Sequence, residues 1–184
     1  MQRNELRMTV LASLFTVLII IGGYISFPIG PVPIVLSDFF VILTGLLLGA
    51  GWGSASVGLY LLLGFLGFPV FAGGAAGLGV LFGPTGGFLI GFMVCVWVEG
   101  GIAAPGRFRT RLTFWKHLLA TVAGMAVIYG CGVPWLKMIL KVPWPKAVAL
   151  GLAPFLIGAV LKAIAAVAIV QAVRPLLRSF RDGD

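Results

Sequence analysis

Acidic side chains are scarce in this chain: five Asp and Glu stand among 184 residues, with one His and two Cys. Glu5, Asp182 and Asp184 lie in the tails, which leaves Asp38 and Glu99 in the body. That set is too small for a carboxylate pair holding a metal. Cys95 and Cys131 sit inside apolar stretches with no His or Cys at ligand spacing, so they read as small apolar packing residues rather than a metal site or disulfide framework. His117 stands beside Lys116 at a basic helix end, where an interfacial place is expected. No GxxxxGK[ST] is present, so the chain cannot power itself with ATP. HExxH and GxSxG are missing, and Gly77 to Gly83 fails the GxGxxG spacing. A membrane enzyme is hard to assemble from such an inventory. No metal and no cofactor are expected.

Charge of either sign is also thin. Charged residues make up 10% and hydrophobic ones 60%, with a mean hydropathy of +1.14. Soluble domains carry about 25% charged residues, so a water-soluble globule is excluded. Disorder is excluded as well, because such a chain has ample apolar surface to bury.

What is present is a series of six apolar runs. They span about Met8–Ile25, Phe39–Ala50, Ser54–Phe68, Gly86–Ala104, Leu112–Cys131 and Ala147–Val173. The second and third are short for a full crossing and are joined only by Gly49 to Gly53, so they are expected to be tilted, broken or sheltered by neighbours. The net charge of +8 does not mark a nucleic-acid partner, because the basic residues stand at the ends of apolar runs. With the N-terminus in the cytoplasm, Arg3, Arg7, Arg107, Arg109, Arg111, Lys116, Arg174, Arg178 and Arg181 fall inside. Lys137, Lys141 and Lys146 fall outside. Nine against three predicts six crossings with both termini cytoplasmic. Small residues recur at four-residue spacing, as at Gly45/Gly49, Gly87/Gly91 and Ala159/Ala163, and indicate closely packed helices.

Two outer loops stand out. Ser26 to Ile34 carries three prolines, which stiffen it. Gly67 to Gly87 is apolar and rich in glycine. Neither carries Lys or Arg. They read either as lids over a mostly apolar cavity or as re-entrant packing on the bundle.

Lys162 is the only charged side chain between Ala147 and Val173. With a helix starting near Pro154 it lies about 12 Å along the axis. A lysine at that depth costs roughly 2.5–3.5 kcal/mol on insertion scales and therefore turns inward, toward an anion. Asp38, Glu99 and the carboxylate of a ligand are the candidates. Asp38 follows Ser37 at the opening of the second run, where it suits a helix N-cap, a ligand contact or both. Glu99 closes the fourth run and reads as an interfacial charge.

Several stretches together carry a resemblance. They are Phe27-Pro28-Ile29-Gly30-Pro31-Val32-Pro33-Ile34, Thr44 to Gly49, Tyr60 to Gly74, and Gly83-Pro84-Thr85-Gly86-Gly87-Phe88-Leu89. In this order they resemble the biotin-transporter S-component family (BioY) over most of residues 8–95 plus the sixth run. The resemblance implies a six-helix substrate-capture subunit of an energy-coupling-factor transporter. Such a subunit binds a vitamin from outside and docks on a membrane coupling protein driven by ATPase subunits.

It further implies a binding site at Lys162, Ser37, Asp38, Phe71, Gly73, Gly74 and Ala159. Ala12 and Thr16 match the spacing of the small residues that meet the coupling protein. Two departures bear on the substrate. Val35-Leu36-Ser37 stands where the family typically carries Thr-Leu-Gln. Gly158-Ala159-Val160-Leu161-Lys162 stands where it carries Gly-Asp-x-x-Lys, so the lysine is kept and the acid is gone. A ligand with an apolar body and a carboxylate still suits the site, with Lys162 as the anion partner.

The reading is therefore an all-α bundle of six transmembrane helices, one membrane domain over residues 1–184, in a prokaryotic plasma membrane. The substrate is biotin first and lipoate, or another ring-plus-carboxylate acid, second. Membrane lipid, a coupling transmembrane protein and ATPase subunits are the expected partners. The outer loops are expected to close over the ligand, and the subunit to reorient on docking. A lipid-modifying enzyme and a channel-like subunit are the rival classes.

Overall fold

The computed structural model describes residues 2–103 and 112–182. Arg107, Arg109 and Arg111 of the inside charge set lie outside the described residues, as does Asp184.

Five stretches are long and apolar enough to cross a membrane: Asn4–Tyr24, Ser37–Phe65, Gly86–Ala103, Phe114–Leu140 and Trp144–Val173. They belong to helices α1 (Gln2–Tyr24), α2 (Ser37–Phe65), α4 (Gly86–Ala103), α5 (Leu112–Leu140), α6 (Trp144–Gly151) and α7 (Leu156–Asp182). A single turn, α3 (Leu78–Leu81), precedes α4. One departure from an all-α chain is the two-residue ribbon of β1 (Ser26–Phe27) with β2 (Ile34–Val35), antiparallel, pairing Ser26 with Val35 and Phe27 with Ile34.

The second and third apolar runs are two arms of α2. Gly49 breaks that helix at φ 76° and ψ −176°, a region essentially reserved for glycine. The arms then fold back on one another. A Cβ on Gly53 would stand 3.4 Å from the Thr44 carbonyl oxygen, whereas nine residues of straight helix rise about 13 Å. The start of α2 and the loop that follows its second arm accordingly reach one end of α1. Gly22 faces Ser37 and Phe40, and Gly23 faces Val70 and Phe71. Gly100 of α4 packs on the bend at Ala50. The five spans by length thus hold seven helical runs: α1, the two arms of α2, α4, α5, α6 and α7.

Two boundaries differ from the expected ones. The fifth run does not stop at Cys131: α5 continues through Pro134 to Leu140, because an apolar bundle tolerates the lost hydrogen bond. The sixth run is divided. A 3-10 turn, Ala153–Phe155, carrying Pro154, separates α6 from α7, so Lys162 lies about 9 Å into α7.

On α1 the 3.6-residue period sorts the side chains. Ala12, Phe15, Thr16 and Ile19 are buried, while Leu6, Val10, Leu14, Val17 and Ile21 are exposed. The Thr16 hydroxyl lies 3.0 Å from the carbonyl oxygens of Ala12 and Ser56, the latter on the second arm of α2. Ala12 and Thr16, expected to meet a coupling protein, are turned into this bundle and offer no free surface here.

Candidate ligand cavity

Two loop segments cover one end of the bundle. The Pro-rich loop is held by the ribbon, and its tip at Gly30 stands over Leu150 of α6. The longer segment is tied at both ends. The Tyr24 hydroxyl donates to the Pro69 carbonyl, and Trp135 Nε1 donates to the Gly83 carbonyl at 3.0 Å. The two segments that composition marked as either lids or re-entrant packing thus cover this end of the bundle.

Beneath them lies a cavity of about 340 Å³, within the range of small-molecule sites. Pro31 to Pro33 and Ala72, Val80 and Pro84 contribute the roof. One wall is aromatic: Phe88 packs with Phe155 at 6.5 Å and with Tyr129 at 6.4 Å between ring centroids. Opposite, Phe71 meets Tyr60 edge-on at 5.4 Å. The Phe71 ring occupies the space of a side chain that Gly64 lacks, since any Cβ there would overlap it. The polar groups in the lining come mainly from Ser37, Asp38, Tyr60, Thr85 and Tyr129.

Asp38 is anchored from across the chain. Lys162 Nζ lies 2.7 Å from Asp38 Oδ1, 2.9 Å from Oδ2 and 2.7 Å from the Val35 carbonyl oxygen. An ammonium has three protons to donate, so Lys162 is fully engaged. Of the three anions the sequence allowed as its partner, Asp38 is the one the fold supplies. Lys162 does not line the cavity; it stands behind the carboxylate that does. Its expected service as the anion partner of a ligand carboxylate has no free proton to rest on. Asp38 Oδ1 also accepts the Phe39 N–H at 2.9 Å. Asp38 is not the N-cap of α2: that position is Leu36, which makes no side-chain cap bond.

Ser37 and Phe71 line the cavity. Gly73 and Gly74 do not; their positive φ angles of 63° and 81° turn the loop so that Ala72 and Ala75 face inward instead. Ala159 also lies elsewhere. It borders a separate apolar depression between α5 and α7, which shares Tyr129 with the cavity wall. Sequence reasoning did not single out Tyr60, Phe88, Tyr129 or Phe155. Aromatic residues inside apolar runs carry no mark that separates a cavity wall from a core.

Two residues expected at the interface are buried. Glu99 is wholly inside, its oxygens against Gly45 of α2 and Gly124 of α5, where a side chain would collide with them. His117 is 1% exposed on α5. Neither lines the cavity. Cys95 is buried and Cys131 half-buried, in keeping with packing roles.

A helical bundle with membrane-length apolar helices, a lidded cavity of small-molecule size and the Asp38–Lys162 ion pair beside it is the architecture of a membrane substrate-binding protein. The particular family is given by comparison. The profile of the BioY family matches residues 1–179, and the chain belongs to that family. It is 38% identical to the biotin transporter BioY of Thermotoga maritima, over 93% of this chain and 98% of that one. It is 41% identical to the probable biotin transporter BioY of Pyrococcus horikoshii, over 88% and 92%. The crystal structure of the S-component for biotin from an ECF-type ABC transporter matches with a TM-score of 0.88 at 29% identity, covering 95% of this chain and 94% of that chain. The chain is a membrane transport component and not an enzyme.

Proposed function

We propose that this chain captures biotin at the lidded end of a six-crossing membrane bundle and delivers it with an ATP-driven coupling module. The observation that carries the reading is the carboxylate of Asp38 set in the cavity wall and held by Lys162. Asp38 Oδ2 retains accepting capacity after its bond to Lys162, which suits the N–H groups of a ureido ring. The aromatic walls suit the apolar body. Asp38 thus supplies, from α2, the acid that Ala159 lacks on α7. Lipoate has no such N–H groups, and the Thermotoga and Pyrococcus relatives are biotin transporters by name.

The fold-back of α2 at Gly49 and the basic-residue tally support six crossings with both termini cytoplasmic. Residues 1–184 then act as one domain of the cell membrane, in contact with lipid. The sequence has no P-loop, so energy is supplied by a partner.

Calorimetric titration of the purified, ligand-free protein with biotin and with lipoate tests the substrate. Tight biotin binding with weak lipoate binding is expected. The reverse order would overturn the assignment.

A further inference from the structure

With Lys162 committed to Asp38, no cation among the described residues lines the cavity. A ligand carboxylate therefore needs its counter-charge outside the lining. The corner between α5 and α6 supplies it. Lys137 stands near the end of α5, Lys141 follows it, and Lys146 lies in the first turn of α6. Lys141 and Lys146 are exposed, and Lys137 is propped over the Trp144 ring at 5.1 Å.

This corner is tied to both lids. Trp135, two residues before Lys137, bonds the cavity-lining Gly83, and Leu150 of α6 sits under Gly30, next to the cavity-lining Pro31. Among the described residues the lidded end carries one acid, Asp38, already neutralised by Lys162. Three uncompensated positive charges remain beside the lids.

We propose that Lys137, Lys141 and Lys146 form a receiving site for the ligand's carboxylate. They draw the anion to the lidded end and orient it ring-first, so that the ring reaches Asp38 while the carboxylate stays at the mouth. A cleft edged by one sign of charge raises association rates by about 10- to 1000-fold. The proposal rests on the biotin reading above and adds orientation and approach to it.

The test is stopped-flow binding of biotin and of its uncharged amide to the full chain in zwitterionic nanodiscs. Salt is raised from about 0.01 M to about 1 M, which shortens the Debye length from about 30 to about 3 Å. Biotin association should slow with salt and amide association should not. The double variant K141Q/K146Q, which leaves the Lys137–Trp144 contact intact, should slow biotin about tenfold at low salt. Its amide binding should stay unchanged. Equal slowing of biotin and amide, or a wild-type rate indifferent to salt, overturns the proposal. So does a variant effect seen only when anionic lipid is added, which would place the lysines on lipid phosphates. Binding of neither compound defeats the biotin reading as well. Binding without salt dependence defeats this proposal alone.

Discussion

Lys162 and Asp38 are 124 residues apart in the chain and form a bidentate ion pair, with Nζ at 2.7 and 2.9 Å from the two carboxylate oxygens. The pair ties α7 to the start of α2 beside the cavity, so its two partners should fail differently when removed.

Lys162→Met strands a carboxylate in an apolar wall. Removing one partner of a buried pair costs about 3–5 kcal/mol. Thermal unfolding in detergent should show that loss. The double variant K162M/D38N should regain much of the stability yet bind biotin more than tenfold more weakly than wild type. Recovery of affinity alongside stability would remove Asp38 from the site.

Asp38→Asn alone keeps the size of the side chain and halves its accepting oxygens. Titration should show biotin affinity reduced more than tenfold, with no comparable loss for lipoate, whose carboxylate can use the freed Lys162. A comparable loss for both ligands would mean that the residue only shapes the cavity.

Gly64→Ala pushes a methyl group into the Phe71 ring. Overpacking of this kind costs about 1–3 kcal/mol. The melting temperature should drop, and biotin affinity with it, because Phe71 lines the cavity. Adding Phe71→Leu should restore part of the stability; no recovery would mean that the collision is relieved elsewhere.

Gly49→Ala forces a side chain onto the reserved backbone geometry at the bend of α2, at a cost of about 1–3 kcal/mol. Gly51→Ala, a position with open space around it, is the control and should be nearly neutral. Equal melting temperatures for the two variants would contradict the sharp bend.

Thr16→Val removes the hydroxyl that joins α1 to Ser56, worth about 1 kcal/mol. The loss should appear in the isolated subunit. If stability is unchanged and only assembly with the coupling protein weakens, Thr16 acts at an outer surface after all.

Much of this architecture was legible in the residue order. The apolar runs, the break near Gly49 and the two uncharged lids are all local patterns. Lys162 was legible for a different reason: a charge at that depth demands a partner. The candidate site was less so. Ala159 shares a helix face with Lys162 by spacing yet borders the α5–α7 depression. Glu99, placed at the interface by its neighbours in the chain, sits inside, where Gly45 and Gly124 leave room beside it, and His117 is likewise buried.

Chain order and composition were enough to set the membrane class, the apolar stretches that become helices and the need for an anion near Lys162. These follow from periodicity and transfer free energies, which act residue by residue. The tertiary fold alone decided which acid answers Lys162, that the lysine stands behind the wall rather than in it, and which aromatic residues face the ligand space. Those outcomes depend on how helices remote in sequence pack, and packing depends on side chains that meet only after the chain has folded.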